Sequence, residues 1–85
     1  MNSPLVKYMA DRFADRLLKM DKLDDTRRIG MAHLLALGRE PSESMRTQAL
    51  TFIDQAIQED GMTRQEAWSE FCQSLYATAE FRYVE

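Results

Sequence analysis

Apolar residues recur every three or four positions along four stretches of the chain, and turn-forming residues separate the stretches. This spacing places the apolar side chains on one face of an α-helix and predicts amphipathic helices that pack together. The predicted helices cover approximately residues 4–20, 26–37, 43–59 and 64–79. Strand-like alternation is confined to residues 81–85, and one short segment cannot form a sheet. The pattern therefore predicts an all-α fold, a small bundle of about four helices that forms a single domain over residues 1–85.

Residues suited to helix ends support these boundaries. Ser3 can accept hydrogen bonds from free N–H groups at the start of the first helix, and Asp24 or Asp25 can do so for the second. Gly38 can adopt the left-handed conformation that closes a helix. The remaining signals are Pro4 and Pro41, which favour helix starts, Gly61, which favours the end of the third helix, and Thr63 with Glu66, which have capping-box spacing.

The apolar faces also predict the core, and residues 80–85 are expected to form a short tail that packs against it. The second helix is apolar around more of its circumference than the others and is expected to be the most buried. The predicted core positions are Leu5, Val6, Met9, Phe13, Leu17 and Met20 in the first helix, Ile29, Met31, Ala32, Leu34, Leu35, Ala36 and Leu37 in the second, Met45, Ala49, Phe52, Ile53, Ala56 and Ile57 in the third, and Ala67, Trp68, Phe71, Cys72, Leu75, Tyr76 and Ala79 in the fourth.

Composition narrows the possible functions. The net charge of -3 removes the usual electrostatic basis for strong binding to DNA or RNA phosphates. Hydrophobic residues make up 45% of the chain, but no apolar run approaches the ~20 residues of a membrane span. The single cysteine, Cys72, excludes an internal disulfide and a multi-cysteine zinc site. We therefore expect neither a nucleic-acid partner nor a membrane span.

Few residues offer catalytic or metal-binding chemistry. His33 is the only histidine, and Cys72 is its only soft potential co-ligand, so a nucleophilic or metal pair would need them adjacent in the fold. Both also fit simply as core residues on helical faces. The stretch before Gly61 resembles a calcium loop only superficially, since Ala56 and Ala67 would occupy ligand positions. No cofactor or metal site is predicted.

The central turn contains two residues that helix termination does not require, Arg39 and Glu40. The planar guanidinium of Arg39 can bind a carboxylate with two hydrogen bonds, and Glu80 is one candidate partner. Arg39 is therefore either a clasp between the turn and the end of the chain or an exposed side chain that contributes little.

Several segments together resemble a known family. They are Asn2-Ser3-Pro4, residues 32–41, residues 68–75 and the closing Glu80-Phe81-Arg82-Tyr83-Val84-Glu85. In this order they resemble the carboxy-terminal part of a planctomycete-specific domain of unknown function, found in large proteins with cytochrome c-like domains. The chain departs from the family at Ala77-Thr78-Ala79, where an Asn-Ser pair is common. The resemblance implies a fragment of a longer protein of the cell envelope or extracellular space, and it brings no known activity; the Cys-x-x-Cys-His haem attachment site is absent.

These observations predict a non-enzymatic helical module that packs against neighbouring domains of the parent protein or a protein partner. The aromatic residues of the fourth helix and tail motivate this hypothesis, and the candidate interaction residues among them are Trp68, Phe81 and Tyr83. An alternative is an accessory part of an enzyme that supplies Arg39, Glu40 or Glu80 to an active site completed by other domains. A third possibility is an independent regulatory protein.

Overall fold

A computed structural model describes the backbone of residues 3–84 and the side chains of residues 3–79. Four α-helices follow one another within residues 3–84: α1 (Pro4–Leu18), α2 (Asp25–Leu37), α3 (Glu43–Gln58) and α4 (Arg64–Val84), and this part of the chain contains no strand. The predicted all-α bundle of four helices is confirmed.

The helix ends follow the predicted signals closely. The Ser3 hydroxyl accepts a hydrogen bond from the N–H of Leu5 at 3.1 Å, and the Asp24 carboxylate accepts one from the N–H of Arg27 at 2.9 Å. Of the two candidates, Asp24 rather than Asp25 is therefore the cap of α2. Gly38 ends α2 in the left-handed region with φ 76°, where a residue without Cβ avoids strain.

Thr63 and Glu66 form the predicted capping box. The N–H of Thr63 donates to the Glu66 carboxylate at 2.8 Å, and the N–H of Glu66 donates to the Thr63 hydroxyl at 3.1 Å. Pro41 does not begin α3: it is buried just before Ser42, whose hydroxyl caps that helix through the N–H of Met45 at 3.2 Å.

The predicted end of the fourth helix is wrong, because α4 continues through residues 80–84 to Val84. Those residues include no glycine or proline, so the helix meets no residue that would stop it. The short alternation of apolar and polar residues in this segment, which resembles a strand, does not end the helix. Whether the side chains of this segment pack, as predicted for a tail, lies outside the described residues.

The core lies around α4, which packs against each of the other three helices. Trp68 and Cys72 on α4, Leu17 on α1 and Ile29 on α2 are the largest fully buried side chains of the described residues. The other buried apolar residues are Ala10, Phe13, Ala14, Ala32, Ala49, Ile53, Ala56, Ala67, Phe71 and Leu75.

Six predicted core residues lie at the surface instead, and α4, not α2, is the central helix. Leu5 is 64% exposed, Met9 44%, Leu34 45%, Leu35 48%, Met45 38% and Phe52 45%. The apolar faces of α1, α2 and α3 are wider than the surfaces that the other helices cover, and helical spacing does not reveal how much of a face is covered. The outward stripes of α1 and α3 therefore remain available for contacts beyond the bundle.

Candidate interaction site

An apolar groove runs between α2, α3 and α4 and has a volume of about 230 Å³. Its lining residues are His33 and Leu37 of α2, Met45, Gln48, Ala49 and Phe52 of α3, and Phe71, Ser74, Leu75 and Thr78 of α4. We refer to these ten residues as the α2–α3–α4 groove.

The floor of the groove belongs to the core, whereas part of its wall is exposed. Ala49, Phe71 and Leu75 are between 4% and 7% exposed, and they form a continuous apolar base. Met45 and Phe52 stand on α3 with 38% and 45% of their surfaces exposed. A surface that packs here would cover side chains that the bundle itself leaves in water.

His33 is part of this floor rather than an exposed ligand. It is 4% exposed, its Nδ1 lies 3.0 Å from the carbonyl oxygen of Ile29, and its ring centre lies 5.8 Å from that of Phe71. The hydrogen bond one turn back along α2 and the aromatic contact hold the ring in place.

The groove lies where three segments without charged residues converge. Residues 29–38, 47–53 and 71–79 contain no Asp, Glu, Lys or Arg, although these types make up 29% of the chain. Of the lining residues, all except Met45 come from these segments, and Met45 is itself apolar. A charged group entering the groove would lose hydration without gaining an ionic partner, so the groove favours an uncharged surface.

Hydroxyl groups of α4 add limited polarity to one wall. The Ser74 hydroxyl donates to the carbonyl of Phe71 at 2.6 Å, and the Thr78 hydroxyl donates to the carbonyl of Ser74 at 3.0 Å. Their protons are therefore used within the helix, while their oxygens can still accept hydrogen bonds. Gln48 on the opposite wall is exposed and carries an amide that can both donate and accept.

Arginine clasps do exist in the fold, but Arg28 and Arg64 form them. The buried Arg28 donates to the carbonyl oxygens of Leu17 at 2.7 Å and Met20 at 3.0 Å, and to the Asp25 carboxylate. Arg64 donates to both oxygens of Asp25, at 2.8 and 2.6 Å. One carboxylate thus joins the start of α2 to the start of α4, and its hydrogen bond from Arg64 is the main cause that lowers the pKa of Asp25.

The same two guanidinium groups lie over the ring of Trp68, with their central carbons 5.9 Å and 6.0 Å from its centre. Trp68 is 0% exposed and meets the ring of Phe71 edge to face at 5.6 Å. The candidate interaction residue Trp68 is therefore a core residue that cannot touch a partner directly. The other two aromatic candidates, Phe81 and Tyr83, have side chains outside the described residues.

Arg46 forms another clasp that the sequence did not reveal. Its guanidinium donates to the carbonyl of Thr26 at 2.8 Å and so ties α3 to α2. Gly30 makes room for this crossing, because a Cβ there would lie 3.0 Å from Nη1 of Arg46 and 3.1 Å from a carboxylate oxygen of Glu40. The sequence signal for this contact was Gly30 within the predicted second helix, since an isolated glycine inside a helix often has a packing reason.

Of the predicted clasp residues, Arg39 is exposed, and Glu40 lies against Gly30 at the turn between α2 and α3. The Glu80 side chain is outside the described residues, so a pair with Arg39 stays a prediction. Neither Arg39 nor Glu40 lines the α2–α3–α4 groove.

Cys72 is 0% exposed, and burial raises the pKa of its thiol to about 12. The thiol is therefore protonated at neutral pH and is a poor nucleophile. Among residues 3–79, no group of three or more His, Cys, Asp or Glu side chains is arranged to hold a metal ion. The groove itself can bury apolar surface and exchange a few neutral hydrogen bonds.

Comparison with protein-family models, curated proteins and solved structures gave no match. The resemblance to the planctomycete-specific domain therefore stays a prediction from the sequence. Across the described helices, none is both long and apolar enough to cross a membrane.

Proposed function

We propose that this chain is a non-enzymatic helical module that holds an uncharged, apolar helix face of a neighbouring domain or partner protein in the α2–α3–α4 groove. The observation that carries the proposal is the exposed pair Met45 and Phe52 on the α3 wall of the groove, at the convergence of three uncharged segments. Exposed apolar surface beside a concave apolar floor is typical of recognition of an amphipathic helix.

The groove can supply useful binding energy. A phenylalanine side chain presents roughly 200 Å², so covering the 45% of Phe52 that is exposed would contribute about 2 kcal/mol at about 25 cal/mol per Å². Met45 adds a smaller exposed area and an adaptable side chain. Covering both would provide a central contact, although loss of translational freedom offsets part of that gain.

Site-directed photocrosslinking in the source organism tests this function. Benzoylphenylalanine replaces Gln48, which lines the groove, and in a matched variant it replaces the adjacent exposed Thr47, which does not. We expect the Gln48 variant to crosslink to one uncharged apolar segment of the parent protein or of a partner. The Thr47 variant should not crosslink to that segment.

The crosslinked segment is then synthesised and its affinity measured directly by calorimetry. Phe52→Gln should weaken binding by on the order of tenfold or more, since it removes most of the apolar area at the wall. Because Phe52 is already half exposed, the variant should remain folded. Two results would refute the proposal. One is equal crosslinking from Gln48 and Thr47, and the other is a peptide that binds the Phe52→Gln variant as tightly as the parent.

A further inference from the structure

A second outward surface lies on α1, on the side facing away from the core. Five of its residues, together with Lys19 just after its last residue, fall within an arc of about 100° at 3.6 residues per turn; the five are Leu5, Tyr8, Met9, Arg12 and Arg16. We call these six residues the α1 stripe. All six are exposed, and Leu5 and Tyr8 are 64% and 57% exposed.

The stripe is divided along the helix axis. Its first half carries the three apolar side chains, and its second half carries Arg12, Arg16 and Lys19. The guanidinium carbon of Arg12 lies 5.6 Å from the centre of the Tyr8 ring, where the two halves meet. The surface thus passes from apolar to basic over about 21 Å, at 1.5 Å per residue.

The three basic side chains of the stripe are exposed. Within the described part of the chain none of them forms an ion pair with a carboxylate, although Asp15 borders the stripe. The nearby Lys7 and Asp11 pair with each other at 3.1 Å, and Asp11 also accepts a hydrogen bond from Ser69 of α4. The carboxylates of α1 therefore do not neutralise the stripe.

We infer that the α1 stripe binds an acidic amphipathic segment of a partner protein. The apolar residues of that segment would cover Leu5, Tyr8 and Met9, and its carboxylates would lie along the basic half. Charge complementarity supports this occupant, because three cations that pair with no carboxylate of residues 3–79 share one end of the stripe. This inference goes beyond the proposed function, since it concerns a different surface.

An anionic membrane surface would meet the same side chains less favourably. Helices that lie on membranes carry Lys and Arg on a polar face that runs beside the apolar face along the helix. In the α1 stripe the basic and apolar residues are separated end to end instead.

The experiment uses a labelled 14-residue peptide with leucine and phenylalanine in one half and glutamate in the other, with fluorescence anisotropy as the readout. We expect saturable binding that weakens between 50 and 300 mM NaCl and is lost when glutamine replaces the glutamates. The double variant Arg12→Gln, Arg16→Gln should weaken binding by on the order of tenfold, as expected for two exposed ion pairs. The matched control Arg27→Gln, an exposed arginine of α2, should leave affinity unchanged.

Three results would overturn the inference: no binding of the acidic peptide, equal binding of the glutamine peptide, or an affinity that the double variant does not change. Vesicles of phosphatidylserine and phosphatidylcholine are tested in parallel, and their binding in place of the peptide would assign the stripe to membranes. Phe52→Gln should not change the affinity for the acidic peptide. The inference about the α1 stripe and the proposal about the α2–α3–α4 groove can therefore fail independently.

Discussion

Arg28 is expected to be the most sensitive polar side chain in the bundle. It is a charged residue with 5% exposure, and its guanidinium contacts the carbonyls of Leu17 in the last turn of α1 and of Met20 just after it, Asp25 at the start of α2, and the ring of Trp68 on α4. Arg28→Ala removes all of these contacts together. The neighbouring Arg27 is exposed and provides a matched control.

The structure allows the size of the effect to be worked out. Both carbonyls also accept a backbone hydrogen bond, from Met20 to Leu17 at 3.2 Å and from Leu23 to Met20 at 3.1 Å, so neither would be left without a partner. We therefore take the lower end for bonds to a charged group, about 1.5 kcal/mol each. The contact with Trp68 adds about 0.5–1 kcal/mol, and Asp25 keeps Arg64.

The expected loss is thus about 3.5–4 kcal/mol, against a total stability of about 4–13 kcal/mol for a chain of this length. At about 4–8 °C per kcal/mol, Tm should fall by more than about 10 °C. Arg28→Lys should give an intermediate loss, because an ammonium group keeps the charge but not the planar set of donors.

Urea unfolding followed by tryptophan fluorescence measures this directly. Trp68 is the only tryptophan and is 0% exposed, so its emission reports exposure of the core. Arg27→Ala should change the free energy of unfolding by less than about 0.5 kcal/mol. A loss below about 1 kcal/mol for Arg28→Ala, or an equal loss for Arg27→Ala, would show that the buried guanidinium does not hold the helices together.

Two further predictions concern protonation. Arg64 lowers the pKa of Asp25 in the folded state, so the stabilisation is present above the unfolded pKa of about 3.9 and is lost as the pH falls through that value toward the folded pKa. Unfolding free energies measured from pH 6 to 2 should therefore fall less steeply for Asp25→Asn than for the parent or Asp21→Asn, and parallel curves would contradict this. Burial with a thiol pKa of about 12 should protect Cys72 from iodoacetamide at pH 8 until urea unfolds the chain, whereas rapid labelling of the folded protein, seen by mass spectrometry, would contradict the buried position.

The two proposed surfaces have a common origin in the wide apolar stripes of α1 and α3. Leu5 and Met9 on α1, and Met45 and Phe52 on α3, have the spacing of core residues but lie outside the surfaces that the other helices cover. The α1 surface also carries Arg12 and Arg16, whereas the α3 surface lies among segments without charged residues. The two surfaces therefore favour partners of different charge.

Features that depend on a few neighbouring residues could be predicted from the sequence. Ser3, Asp24 and Gly38 act at the helix ends as predicted, because caps and left-handed turns involve atoms close along the chain. Helical spacing likewise predicted four helices and the buried Phe13 and Leu17.

The packing of the helices determines which outward residues remain uncovered and which arginines act as clasps. Arg39 and Arg28 have the same chemistry in sequence, but Arg28 alone of the two lies within reach of the Leu17 and Met20 carbonyls and the ring of Trp68. Trp68 was likewise a candidate interaction residue from the sequence, but it is buried because α4 lies at the centre of the bundle. Burial and charge pairing depend on the distances between helices, and the spacing of residues along one helix gives no information about those distances.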